Sequence, residues 1–168
     1  YAVEEHFDKI LLESNGFKEG PILKLADIHF WEKWMQHKVF KKTLANYPLA
    51  DENDFYRSYV DAFQLKKTLS EPELKKNLEE GFRLLSGFYE GKLSTKEVFD
   101  IEALSKYFAL MDLTNGSHGF IWHNHRFYYN PISAKLIPIG FDLLGGGKNN
   151  ALIIDIYKQF NFFDDNEF

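Results

Sequence analysis

The sequence predicts an α+β fold, mostly helical, with one small β-hairpin. Two segments, residues 74 to 85 and 101 to 111, repeat apolar side chains every three or four positions, the period of a helix with one buried face. The stretch "HRFYYNPISAKLIPIGFD" alternates its side chains about a central Asn-Pro, which is the pattern of two paired strands and the turn chemistry that joins them. The composition supports a packed core, because 17 Phe, 9 Tyr and 3 Trp within 168 residues bring large apolar area.

Taken in order, "VEEHFDKILLESNGF" places Val3, Phe7, Ile10 and Leu11 at helical spacing, with Asn15-Gly16 as the stop. "GPILKLAD" opens on Gly20-Pro21 and reads as a short strand ending near Lys24 or Leu25. Residues 28 to 48, aromatic and basic, read as one helix closed by Tyr47-Pro48, and "ADENDFYRSYVDAF" as a turn followed by a helix from about Asn53 or Asp54. Ser70 and Glu73 have capping-box spacing, Pro72 is tolerated in a first turn, and Leu74, Leu78, Phe82 and Leu85 form the buried stripe before Gly91. Asp100 is placed to cap the next helix, whose face is Ile101, Leu104, Phe108 and Met111 and whose end is Asn115-Gly116. The hairpin then turns at Asn130-Pro131. Gly145 to Gly147 break the chain, and "ALIIDIYKQF" reads as a final helix. There is no repeat and no low-complexity segment.

Several function classes are excluded or disfavoured at this level. A net charge of −5, with basic tracts as short as "HKVFKK" and "ELKK", argues against a dedicated nucleic-acid binder, which needs clustered Lys and Arg. The absence of cysteine excludes disulfides and thiolate zinc sites. No apolar run approaches a membrane span. Tyr1 is not a start methionine and does not open a signal peptide, so the chain reads as a mature or excised piece.

The chemistry concentrates in "HGFIWHNHRFYYNPISAKLIPIGFD", residues 118 to 142. On the first strand Arg126 and Tyr128 face one way, Phe127 and Tyr129 the other. A hairpin sets its two ends side by side, so Asn124, just before it, approaches Asp142, just after it. A carboxamide oxygen and a carboxylate together suit a hard cation such as Mg²⁺, which in turn holds nucleotide phosphates. Loop Asn, hairpin, then Asp is also the metal-binding order of protein-kinase catalytic loops. Blander roles compete. Asn124 serves equally as a turn or cap residue, Asp142 as a strand terminator, Lys24 as a solvated surface cation, and His118 as a hydrogen-bonded loop histidine. His118, His123 and His125 also admit a zinc reading, weakened by the lack of cysteine, and the aromatics from Trp122 to Tyr129 read as core.

These residues carry a family resemblance. "HNHRFYYNP" and "KLIPIGFD" resemble the spore-coat CotH kinase family, whose pattern runs loop, Asn, aromatic-rich strand ending in Asn/Asp-Pro, then L-x-P-I and Asp. "FDIEALSKYFALMDLTNG" looks like the helix leading into that loop, and "EEHFDKILLESNGFKEGPILK" is similar to the family's Glu, helix, Gly-rich turn and strand ending in Lys. The resemblance covers both ends of the chain and is weak from about residue 28 to 94.

It implies a single CotH-like domain over residues 1 to 168, part of an atypical protein-kinase-like fold, with the small-lobe strands and Gly-rich loop lying upstream of Tyr1. It implies Mg²⁺-assisted transfer of the ATP γ-phosphoryl group to a protein hydroxyl: Lys24 on the phosphates, Glu5 near the nucleotide, Asn124 and Asp142 on the metal. The family's loop Asp falls at position 119, which here is Gly, and His118 beside it is the tentative base. That departure keeps a second reading open, a non-catalytic, pseudokinase-like binding or structural module on the same scaffold. In either case the resemblance implies a protein substrate or surface partner and an extracytoplasmic home in a bacterial cell envelope or spore coat.

Overall fold

A computed structural model describes residues 6–28, 30–32, 35, 58–120 and 122–142. The expected helices over 28–48 and 151–160, and Glu5, fall largely or wholly outside these residues. The elements whose bounds lie among the described residues are α1 (Lys9–Ser14), β1 (Ile22–Leu25), β2 (Val60–Ala62), α2 (Leu65–Ser70), α3 (Pro72–Tyr89), α4 (Thr95–Val98), α5 (Ile101–Thr114), β3 (Arg126–Asn130) and β4 (Lys135–Ile139). Two 3-10 turns, Ser117–Phe120 and Trp122–Asn124, link α5 to β3. The strands make one antiparallel sheet in the order β2-β1-β3-β4. The α+β class is therefore observed, with the expected hairpin as half of a four-stranded sheet.

Local chemistry accounts for most element ends. Asp8 accepts from the backbone of Ile10 at 2.8 Å and so starts α1 at Lys9, later than the apolar spacing suggests. In consequence Ile10 is exposed and Leu12 is the buried residue of that helix. Asp100 caps α5 by accepting from Ala103 N at 3.0 Å, and Asn115, in the left-handed region at φ 52°, ends it. The turn after β3 is closed by Asn130, whose side-chain oxygen accepts from Ile132 N at 3.0 Å.

Two expectations are corrected. Residues 60–62 are strand, not helix: Val60, Asp61 and Ala62 pair with Leu25, Lys24 and Leu23, and this long-range ladder overrides local helix propensity. The Ser70–Glu73 capping box does not form. Ser70 ends α2 and its hydroxyl donates to Lys67 O at 2.7 Å, while Glu73 pairs with Lys18 at 2.6 Å. A capping pair exists instead at α4, where the Glu97 carboxylate accepts from Ser94 N at 2.9 Å and from Ser94 Oγ at 2.8 Å.

Helices α3, α4 and α5 cover one face of the sheet, burying Leu23, Phe127, Tyr129 and Leu136 against Leu78, Leu85, Phe99 and Leu104. Gly81 lets α3 approach closely, since a Cβ there would sit 3.0 Å from Leu23 Cδ1. The opposite face buries Ile22 and Tyr128 with Leu12, and Phe7, Phe17 and Phe63 pack over them. Beside those apolar residues runs a second row, Asp61, Lys24, Arg126 and Ile139, in direct register across all four strands.

Candidate functional site

The site forms where the 3-10 turns meet the end of the hairpin. Asn124 closes the second turn and is buried. Its Nδ2 donates to the His118 backbone oxygen at 2.9 Å and to Asp142 Oδ2 at 3.0 Å. His118 Nδ1 lies 3.0 Å from the same Oδ2. An ionised carboxylate can only accept, so Nδ1 is the donor in this contact, and a neutral ring held this way has Nε2 as its acceptor. The His118 side chain is 48% exposed and that of Asp142 27%, so the pair is reachable from solvent while Asn124 anchors it from below. Asn124 meets Asp142 across the hairpin, as the sequence suggests, but Asn124 is buried and makes the contact through its amide nitrogen, not through the oxygen expected to face a cation.

Asp142 adopts φ 51°, in the left-handed region that aspartate tolerates better than most residues with a side chain. Position 119 packs against the backbone just before it. Gly119 is buried, Tyr107 donates its hydroxyl to the Gly119 carbonyl at 3.0 Å, and a Cβ at 119 would sit 3.0 Å from Phe141 O and 3.1 Å from the Met111 sulfur. A side chain here would crowd the Met111 side chain and the backbone that leads to Asp142. Of the two loop positions considered for a base, only His118 presents a titratable group to solvent.

Carboxylate and carboxamide oxygens are the donor types that a hard divalent cation of the magnesium type takes. One carboxylate and one carboxamide are few, but Mg²⁺ is usually held by one or two protein ligands and completes its shell with water and phosphate. Asn124 now offers its amino group to Asp142. Turning the carboxamide by half a revolution exchanges nitrogen for oxygen without changing its shape, at the cost of both Nδ2 bonds, to His118 O and to Asp142 Oδ2.

No zinc-type cluster is assembled among the described residues, where no group of three His, Cys, Asp or Glu is placed to hold a metal ion. His123 instead stacks on Phe30, with ring centroids 4.3 Å apart, and burial lowers its pKa to about 4, which keeps it neutral near pH 7. His125 packs at the edge of Phe127, 5.9 Å between centroids. The aromatics Trp122, Phe127, Tyr128 and Tyr129 are core, as their composition suggests.

Lys24 lies on the sheet face that also carries Arg126, and its strand packs against the 3-10 turn that bears Asn124. Its Nζ is 3.7 Å from Asp61 Oδ2 and 5.2 Å above the Phe63 ring. Asp61, Arg126 and Phe141 were not legible as parts of the site. The one local signal for Asp61 was its place between apolar Val60 and Ala62, an alternation that fits a strand better than a helix.

No protein-family model, no curated protein and no solved structure matches this chain. No helix among the described residues is long and apolar enough to cross a membrane.

Proposed function

We propose that the protein binds ATP with Mg²⁺ and transfers the γ-phosphoryl group to a protein hydroxyl, on an atypical protein-kinase-like framework of the CotH type. The observation that carries this reading is the 3.0 Å approach of Asn124 to Asp142 from opposite ends of one hairpin. Bound there, magnesium would neutralise charge on the phosphate oxygens. Asn124 and Asp142 would hold it. Lys24, oriented by Asp61, would meet the phosphates as a point charge. His118 Nε2 accepts the proton of the attacking hydroxyl while its Nδ1–H stays on Asp142. The new bond joins the hydroxyl oxygen to the γ-phosphorus, the bond to the β–γ bridging oxygen breaks, and ADP leaves. The partner is then a protein substrate, at the cell envelope or spore coat that the resemblance implies.

The second reading, a non-catalytic binding or structural module on the same scaffold, draws on two observations. Gly119 stands where the family has its loop Asp, and both Nδ2 protons of Asn124 are used within the protein.

Melting followed during titration with ATP and MgCl₂ separates the two. A ligand at about 100 times its Kd stabilises the folded state by about 2.7 kcal/mol, a readily measured rise in Tm. The rise is expected for the wild type and is expected to vanish in Asn124→Ala and Asp142→Asn. His118→Gln is expected to keep the rise and lose phosphoryl transfer. A wild type whose Tm ignores ATP with and without Mg²⁺ leaves the binding-module reading in place.

A further inference from the structure

Arg126 is a buried cation at the first position of β3, and the phosphoryl-transfer reading gives it no task. Its Nη1 donates to the backbone oxygens of His123 at 2.8 Å and His125 at 2.9 Å, the residues on either side of Asn124. Its guanidinium carbon lies 4.6 Å from the ring centroid of Phe141, the residue before Asp142. Phe63 at 5.4 Å and Phe7 at 5.8 Å complete an aromatic enclosure around the cation. The rings also support one another, Phe7 lying 4.6 Å from Phe63 and 5.4 Å from Phe141. A single side chain thus grips the backbone around one candidate ligand and the ring next to the other.

We propose that Arg126 is the positioning residue of this site, a clamp that sets Asn124 and Asp142 against each other through the loop carbonyls and the Phe141 ring. A guanidinium is suited to this task because it is planar. It donates hydrogen bonds in its own plane while its face lies on an aromatic ring. A lysine ammonium has no such face. Asp142, next to the ring held on the cation, takes φ 51°, a left-handed turn that aspartate tolerates. What the clamp serves rests on the phosphoryl-transfer reading, but its existence does not.

The test uses two readouts on the whole protein. The first is the NMR signal and hydrogen exchange of the Asn124 carboxamide in metal-free protein, compared in Arg126→Lys, Phe141→Leu and Ile137→Ala. Ile137 belongs to the apolar packing of the same sheet face and pairs across the strands with Tyr128, not with Arg126, so it controls for general loss of stability. Arg126→Lys and Phe141→Leu are expected to merge the two amide-proton shifts and to speed their exchange. Ile137→Ala is expected to lower Tm with the Asn124 signals unmoved. The second readout is Mn²⁺ affinity in the presence of ATP, expected to weaken about tenfold or more in the first two variants, as for other residues that orient metal ligands. Asn124 signals that stay put in Arg126→Lys and Phe141→Leu, or that move as far in Ile137→Ala, overturn the clamp. Should Arg126→Lys fail to fold, Phe141→Leu decides alone. Asn124 signals that respond in a wild-type background taking up no Mn²⁺ support the clamp and overturn the phosphoryl-transfer reading.

Discussion

The two faces of the sheet are built from the same four strands yet do different work. Against α3, α4 and α5 the sheet presents Leu23, Phe127, Tyr129 and Leu136, a dry apolar layer. On the other face the apolar pair Ile22 and Tyr128 lies beside Lys24 and Arg126, two cations set among phenylalanine rings. Strands β1 and β3 bury side chains on both faces, Leu23, Phe127 and Tyr129 on one and Ile22 and Tyr128 on the other, so the alternation of side chains cannot be read as inside against outside. The difference teaches where each kind of stability resides. The helical face supplies transfer free energy and holds the fold, whereas the cationic face holds directions, aiming a loop and a carboxylate at one point.

The largest expected effect comes from breaking the helical face. Phe99, 1% exposed, meets Phe88 edge-on at 4.9 Å and Phe127 at 5.1 Å. Phe99→Ala should cost about 3–5 kcal/mol in chemical denaturation and leave the Asn124 signals of the folded fraction unchanged. A shift of those signals would show that the two faces are not separable. Next is Gly119→Ala, whose added methyl presses on Phe141 O. It should cost about 1–3 kcal/mol, and weaken any Mg²⁺-dependent rise in Tm by more than its own stability loss accounts for.

Tyr128→Phe is smaller. Tyr128 spans the polar face to donate its hydroxyl to Lys18 O at 2.7 Å, and losing that bond should cost about 1 kcal/mol with no effect at the site. The smallest is Glu19→Gln. The hydrogen bond from Lys67, then that from Lys9, holds the Glu19 carboxyl below its ordinary pKa of 4.5, against some desolvation. A lowered folded-state pKa means the contribution is complete above pH 4.5 and fades as pH falls through the folded value. The wild type should therefore exceed Glu19→Gln by under about 1 kcal/mol at pH 7, and the gap should close on acidification below 4.5. A gap that widened there would reverse the assignment.

Much of the fold was legible because its signals are local. Asp100 and Asn115 bracket α5, Asn130-Pro131 sets the hairpin turn, and both act over fewer than four residues. Asn124 and Asp142 were legible as a pair for the same reason, since a hairpin of known turn fixes where its ends lie. Residues 60 to 62 were not. A three-residue strand is stabilised by its partner, and β1 lies far away in sequence. Ser70 and Glu73 had the right spacing and the wrong neighbours, because Glu73 is drawn off by Lys18.

By itself the sequence determined the caps of α5, the hairpin, the buried stripes of α3 and α5 and the meeting of 124 with 142, all of them consequences of short-range geometry. Tertiary structure alone decided that the hairpin joins a larger sheet, that Lys24 faces Asp61, that a side chain at position 119 would crowd Phe141 O and Met111, and that Arg126 lies among Phe7, Phe63 and Phe141. Those outcomes depend on which distant segments arrive at the same place, and no spacing along the chain encodes that.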